Sequence, residues 1–115
     1  MLEDQIISED QIISEDQIIS EDQLDLLHII EKDGEASQRL ISKTTGFSIG
    51  KVNYCLKQLL DIGFIKINNF KNSKNKLGYR YILTPRGIRK KTAITKQFIL
   101  KKKQEYDKLN SYINS

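Results

Sequence analysis

The hydrophobic pattern of the chain changes near residue 24. Upstream, residues 3–20 contain the unit EDQIIS three times, and a fourth copy begins with EDQ at residues 21–23. On a helix a six-residue unit advances by about 240°, so its isoleucine pairs spread around the whole cylinder. On a strand each pair puts one isoleucine on either face, so neither geometry gives one buried face. The repeat therefore predicts a solvated acidic tail over residues 1–19, outside the core.

A helical pattern begins where the repeat ends. Ser20 and Gln23 match the capping box Ser-x-x-Gln, in which each side chain bonds the backbone of the other residue. The next apolar residues recur at helical spacing: Leu24, Leu27 and Ile30. Gly34 matches a helix end. These signals predict a first helix over about 21–33, and a domain that begins at residue 20.

Two further helices are predicted from their ends. Ser37 and Ser48 match N-caps, and Gly46 and Gly63 match C-terminal ends. On the second of these helices, over about 49–61, one face is apolar: Val52, Cys55, Leu56, Leu59 and Leu60. The opposite face is polar: Gly50, Tyr54, Lys57, Gln58 and Asp61, with Lys51 and Asn53 at its edges.

The next pattern predicts a β-hairpin and then a long helix. Residues 64–70 and 78–84 are rich in β-forming residues, and the linking residues 71–77 carry three lysines and no acid. Thr84 and Pro85 match the N-cap and first position of a helix that we expect to end near residue 112.

The last helix also carries a spacing typical of helix pairing. Its positions alternate four and three residues apart: Ile88, Thr92, Thr95, Ile99, Lys102, Tyr106, Leu109 and Ile113. The apolar members predict a dimer contact within residues 85–115: Ile88, Ile99, Tyr106, Leu109 and Ile113. The alternative is one amphipathic helix that packs back on its own domain, with Phe98 widening the stripe.

Together these elements predict a mainly α fold with a small β-hairpin (α+β). Three helices followed by a hairpin have the layout of a winged helix-turn-helix over residues 20–84, with a long C-terminal helix after it. A short link around Gly46 suits the steep angle of a DNA-reading helix pair. In that layout the third helix enters a major groove and the hairpin, or wing, lies on the phosphate backbone.

The charge distribution favours a polyanionic partner. The net charge is +4, but residues 1–34 hold eleven acids and one lysine, whereas residues 35–115 hold eighteen lysines and arginines and four acids. A body with a net charge of +14 is typical of a protein that binds nucleic acid. Double-stranded DNA is the predicted partner. The alternative is a winged-helix module whose basic face binds an acidic protein.

The predicted DNA contacts come from three regions. The second helix contributes Ser37, Gln38, Arg39 and Lys43. The third helix contributes Ser48, Gly50, Lys51, Asn53, Tyr54 and Lys57. The wing, about 70–78, and its base contribute Lys71, Asn72, Lys74, Lys76 and Arg80. Lysine and arginine neutralise phosphates, Asn53 and Gln58 suit adenine edges, and Lys51 suits guanine acceptors.

The acids of the first three repeat copies add one more expectation. They are tethered to the basic body: Glu3, Asp4, Glu9, Asp10, Glu15 and Asp16. By intramolecular attraction they are expected to compete with DNA for the basic face, and salt would screen this competition.

Catalytic chemistry finds no support in the sequence. The one histidine, His28, lies amid apolar residues, and the one cysteine, Cys55, lies on a core face. There is no His/Cys cluster for a metal and no glycine-rich phosphate loop, so we predict no enzyme, metal or cofactor. A single cysteine fits a reducing cytoplasm, and no apolar run is long enough to span a bilayer.

Three segments carry a resemblance to a known family: GKVNYCL at 50–56, NFKNSKNKLGY at 69–79 and LTPRGI at 83–88. Through them, residues 37–88 closely resemble MarR-type winged-helix regulators associated with exopolysaccharide (EPS) gene clusters. The resemblance implies a bacterial, cytoplasmic transcriptional regulator that binds duplex DNA as a dimer. Larger MarR proteins build a ligand pocket from longer flanking helices, so a small-molecule effector is not expected here. The hexapeptide repeat departs from the family and inherits no role from it.

Overall fold

The computed structural model describes residues 19–68 and 75–114 of the 115-residue chain. The elements follow one another in this order: helix α1 (Glu21–Asp33), strand β1 (Ala36–Ser37), helix α2 (Gln38–Thr45), helix α3 (Ile49–Ile62), strand β2 (Ile65–Asn68), a 3-10 turn (Lys76–Gly78), strand β3 (Arg80–Leu83) and helix α4 (Pro85–Asn114). The prediction of a mainly α fold with a small antiparallel sheet and a long C-terminal helix is confirmed.

The first three helices begin at serines and end at glycines, as predicted. The cap side chains each accept a hydrogen bond from the backbone N–H three residues later: Ser20, Ser37 and Ser48. At Ser20 the capping box is complete, because the backbone N–H of Ser20 also donates to Oε1 of Gln23 at 2.8 Å. The terminal glycines have φ angles of 80–85°, a region that favours glycine: Gly34, Gly46 and Gly63.

The sheet has three antiparallel strands in the order β1-β3-β2. The predicted hairpin is formed by β2 and β3, with Ile65 opposite Leu83 and Ile67 opposite Tyr81. Strand β1 was not predicted, because two residues show no alternation and its pairing with β3 is a tertiary contact. Of the predicted cationic tip, residues 71–74 lie outside the described residues, and Lys76–Gly78 form the 3-10 turn.

The core lies between α1, α3, the sheet and the first half of α4. The predicted apolar face of α3 is buried: Val52, Cys55, Leu56 and Leu59, with Leu60 half-buried. Burial raises the pKa of the Cys55 thiol, as expected for a cysteine that packs as a small apolar side chain.

Ile19 corrects the predicted start of the domain. It belongs to the last isoleucine pair of the repeat, yet its side chain is 3% exposed and lies in the hydrophobic core. Placing residue 19 outside the core was therefore wrong. The physical reason is its position just before the N-cap Ser20, where an apolar residue covers the first turn of the helix. The other predicted tail residues, 1–18, lie outside the described residues.

Helix α4 differs along its length. Its first half packs on the domain: Gly87, Lys90 and Ile94 are buried. A Cβ on Gly87 would lie 1.9 Å from the carbonyl oxygen of Phe64, so only glycine allows this approach. Phe98 is half-buried against the core, as the alternative of packing on the chain's own domain requires. From residue 99 to residue 114 every side chain is exposed.

Candidate nucleic-acid interface

The outward face of α3 carries the exposed side chains Lys51, Tyr54 and Lys57, while Asn53 is half-buried. The N-terminal half of the helix is open. Ser48 and Gly50 are exposed, and a Cβ on Gly50 would meet no atom within 4 Å. This half of α3 is therefore accessible to a large partner.

Lys51 is held toward the start of α1. Its Nζ lies 2.8 Å from Oδ2 of Asp22 and 4.0 Å from the centre of the Phe47 ring. Asp22 belongs to the fourth copy of the repeat, so an acid of that copy is already paired with a predicted DNA contact. The pair is exposed, and exposed ion pairs contribute about 0–1 kcal/mol, so Lys51 can exchange Asp22 for another anion at little cost.

Gln58, which we predicted to suit an adenine edge, is engaged inside the domain. Its Oε1 accepts a hydrogen bond from Nε2 of Gln23, and its Nε2 donates to Oη of Tyr54 at 3.0 Å. A bidentate contact with adenine needs both ends of the amide. Both ends of the Gln58 amide are occupied within the domain, so the prediction of such a contact is corrected. The sequence alone does not reveal this pairing, because Gln23 lies 35 residues away from Gln58.

Gln38 also lies elsewhere than predicted. Its side chain is 2% exposed, and its Nε2 donates to the carbonyl oxygen of Ile49 at 3.3 Å. Oε1 of Gln38 has no hydrogen-bond partner among the described residues. The first residue of α2 therefore faces α3, and Gln38 connects the two helices. The prediction of Gln38 as a DNA contact is corrected, because its side chain is buried.

A polar cleft forms between the start of α2 and the base of the wing. We call it the arginine cleft; it has a volume of about 280 Å³ and is lined by Ser37, Arg39, Asn75, Leu77, Gly78 and Arg80. Nη1 of Arg80 donates to the carbonyl oxygen of Gly78 at 2.8 Å, which holds the guanidinium against the turn. Two guanidinium groups beside a helix N-terminus suit an anionic oxygen.

A second cleft forms between α3 and the wing. We call it the lysine cleft; it has a volume of about 250 Å³ and is lined by Asn53, Leu56, Lys57, Leu60, Ile67, Lys76, Tyr79 and Tyr81. Sequence reasoning missed Tyr79, whose ring meets that of Tyr81 edge-on with centroids 6.5 Å apart. The signal was the alternation in GYRY at 78–81, which places both rings on one face of the strand.

The remaining predicted contacts divide in two groups. Lys43 is exposed on α2. Lys71, Asn72 and Lys74 lie outside the described residues.

Within residues 19–68 and 75–114, no three or more His, Cys, Asp or Glu side chains group as a metal site would require. No helix in the same part of the chain has the length and apolar character needed to cross a membrane.

Residues 22–66 match a family model described as winged helix-turn-helix DNA-binding. The domain is a winged helix-turn-helix. The match begins one residue after the start of α1 and ends in β2, so it includes the whole of α3 and its outward face. In this winged helix, α3 is the third helix, and strands β2 and β3 form the base of the wing. The chain matches no curated protein.

Solved structures of MarR proteins share this winged helix. Staphylococcus aureus MarR in complex with salicylate and kanamycin has a TM-score of 0.60 at 21% identity, over 80% of this chain and 65% of that one. A MarR family transcription regulator has a TM-score of 0.62 at 20% identity, over 84% and 66%. A mutant of S. aureus MepR has a TM-score of 0.55 at 18% identity, over 98% and 80%. The chain thus spans just under two thirds of the first two, and at these identities the likeness shows the fold.

Proposed function

We propose that the chain is a bacterial transcriptional regulator that binds double-stranded DNA, with α3 in the major groove and the wing on the backbone. The observation that carries this proposal is the position of the two clefts. The arginine cleft and the lysine cleft both border residues 75–80, one toward α2 and one toward α3. Basic residues that are distant in sequence, such as Arg39, Lys57 and Lys76, therefore line adjoining surfaces.

The two clefts suit the phosphates that flank a groove. In this arrangement Arg39 and Arg80 bind one stretch of backbone and Lys57 and Lys76 bind another. Cationic contacts of this kind release counterions, so the affinity for DNA falls steeply with salt. Asn53 and Lys51 are the proposed base contacts on α3.

The proposed active form is a homodimer through the second half of α4. Its exposed side chains include Ile99, Tyr106, Leu109 and Ile113, which share the predicted four-and-three spacing. Exposed apolar residues at this spacing are typical of a helix that pairs with another helix.

The finer proposal concerns the regulated genes. The resemblance of residues 37–88 to regulators associated with exopolysaccharide clusters supports genes for exopolysaccharide or another cell-surface polysaccharide as targets, and the cytoplasm as location.

The experiment that tests the proposal is selection of genomic DNA fragments with the purified full chain, followed by affinity measurement on the selected duplex. We expect enrichment of a site with two related halves, and a loss of affinity of about a thousandfold or more between about 50 and 200 mM salt. Lys57→Ala should reduce the affinity and the salt dependence. Lys101→Ala, at an exposed lysine of α4 outside the apolar spacing, is the matched control and should change neither. Absence of any enriched fragment and of duplex binding at low salt would reject the proposal.

A further inference from the structure

A chain of hydrogen bonds runs from the start of α1 to the outward face of α3. It begins at the backbone N–H of Ser20, which donates to Oε1 of Gln23 at 2.8 Å. Nε2 of Gln23 donates to Oε1 of Gln58, and Nε2 of Gln58 donates to Oη of Tyr54 at 3.0 Å. Tyr54, at the end of this chain, is 62% exposed.

The direction of every bond in this chain follows from its first member. The two ends of a carboxamide are hard to tell apart from geometry alone, so an isolated glutamine pair could be reversed. A backbone N–H, however, can only donate, so Gln23 must turn its oxygen toward Ser20 and its nitrogen toward Gln58. Gln58 must then accept through its oxygen and donate through its nitrogen to Tyr54.

The consequence falls on the hydroxyl proton of Tyr54. Because Oη already accepts from Gln58, its own proton must point away from Gln58, toward the open side of α3. Among the residues that the structure describes, none accepts this proton. The fold therefore presents an oriented hydrogen-bond donor at the centre of the proposed DNA-reading face.

We propose that the Tyr54 hydroxyl donates a hydrogen bond to an acceptor atom of DNA, and that Gln23 and Gln58 are positioning residues that set this polarity. The assignment rests on the proposed DNA-binding function and deepens it. The acceptor is a phosphate oxygen or an acceptor on a base edge, such as purine N7. The exocyclic amines of adenine and cytosine are donors, so an oriented donor at Tyr54 disfavours them.

The polarity distinguishes this role from simple contact by an aromatic ring. A tyrosine without Gln58 can rotate its hydroxyl to accept or to donate, and so tolerates either kind of base edge. With Gln58 in place, the Tyr54 oxygen already accepts a hydrogen bond, so its hydroxyl proton is left to donate to DNA. The start of α1, where Gln23 also completes the capping box, thus takes part in the specificity of α3.

The test compares variants of the full chain on the duplex obtained by selection. Tyr54→Phe keeps the ring and removes the donor, and we expect about tenfold weaker binding. Gln58→Met keeps the length of the side chain and removes the amide, and should weaken binding less. In the Tyr54→Phe background, Gln58→Met should have no further effect, because it acts through the lost hydroxyl. Gln97→Met is the matched control: this exposed glutamine lies in the first half of α4, outside the four-and-three spacing, and its change should leave binding unaltered.

Modified duplexes identify the acceptor. Single methylphosphonate substitutions remove the charge of one phosphate, and single 7-deazapurines remove one N7. The substitution that weakens binding by the unchanged chain but not by Tyr54→Phe marks the partner atom. A second readout needs no DNA: the side-chain amide proton resonances of Gln58 should shift in Tyr54→Phe.

Two results would overturn the assignment: equal binding by Tyr54→Phe and the unchanged chain, or an undiminished effect of Gln58→Met in the Tyr54→Phe background. Both presuppose that the unchanged chain binds the selected duplex. If the unchanged chain binds no duplex at low salt, the proposed function itself is rejected, and the assignment with it.

Discussion

The two ends of the described domain differ in residue type and in how their side chains are packed. At the start of α1, a segment of an acidic repeat is integrated into the fold: Ile19 is buried, Asp22 pairs with Lys51, and Gln23 binds both Ser20 and Gln58. At the other end, residues 99–114 of α4 follow an apolar spacing and are all exposed. The polar segment finds its partners within the domain, whereas the large apolar side chains of residues 99–114 stay exposed, although Lys102 of this segment pairs with Glu21 of α1 at 3.0 Å.

The difference has a geometric cause. A helix start needs polar groups for its unpaired backbone N–H groups, so a Ser-Glu-Asp-Gln segment is useful there. Helix α4 has 30 residues and is therefore about 45 Å long, and its first half already covers the core. The second half extends past the surface on which it could pack. Residue type alone thus predicts neither burial nor exposure.

The sharpest test of this contrast replaces one isoleucine at each end. Ile19→Ala should lower the free energy of unfolding by about 3 kcal/mol, because it removes a buried side chain from the core. Ile99→Ala, at a side chain 62% exposed, should change it by less than about 0.5 kcal/mol. Urea unfolding at a concentration where the chain is monomeric measures both. Equal effects at the two positions would contradict the description of Ile19 as a core residue.

The second test concerns the apolar end alone. Leu109→Asp should leave the monomer folded, since Leu109 is 62% exposed, but should abolish the proposed dimer. Loss of the second winged helix of the dimer should then weaken binding to the selected duplex by about a hundredfold. Analytical ultracentrifugation and affinity on the selected duplex measure the two effects. Asn110→Asp adds the same charge at a neighbouring exposed residue outside the spacing and should have neither effect. A Leu109→Asp chain that remains dimeric would place the interface elsewhere.

The third and smallest effect concerns the acidic residues of the repeat that precede the start of α1. Changing the six acids of the first three repeat copies to amides should raise the affinity for DNA several-fold at about 50 mM salt and leave it unchanged at high salt. The pairing of Asp22 with Lys51 shows that an acid of the fourth copy reaches α3.

A tail with the same residues in scrambled order is the control for this third test, and should behave like the unchanged chain if charge alone matters. Identical affinities for the neutralised and unchanged chains at all salt concentrations would mean that the repeat is a passive expansion.

The sequence was most informative where structure depends on neighbouring residues. Serine and glycine signals predicted the ends of α1, α2 and α3, because capping is a local interaction. It was least informative where a partner lies far along the chain. Strand β1 exists only through its pairing with β3, and Gln58 is occupied by a residue of another helix. The burial of Ile19 was not predicted, because its isoleucine pair looks the same as the other pairs of the repeat. Only its position just before the N-cap Ser20 distinguishes it.

The same junction keeps its residues when the repeat changes in length by whole units. Residues 19–23, Ile-Ser-Glu-Asp-Gln, also occur at 7–11 and at 13–17. Gain or loss of any whole unit therefore leaves these five residues directly before Leu24, with the cap and its buried isoleucine intact. Each unit carries two acids, so variation in copy number would change the charge of the chain in steps of two. A change in copy number would thus adjust the electrostatics of the protein in discrete increments and keep the same residues at the capped start of α1.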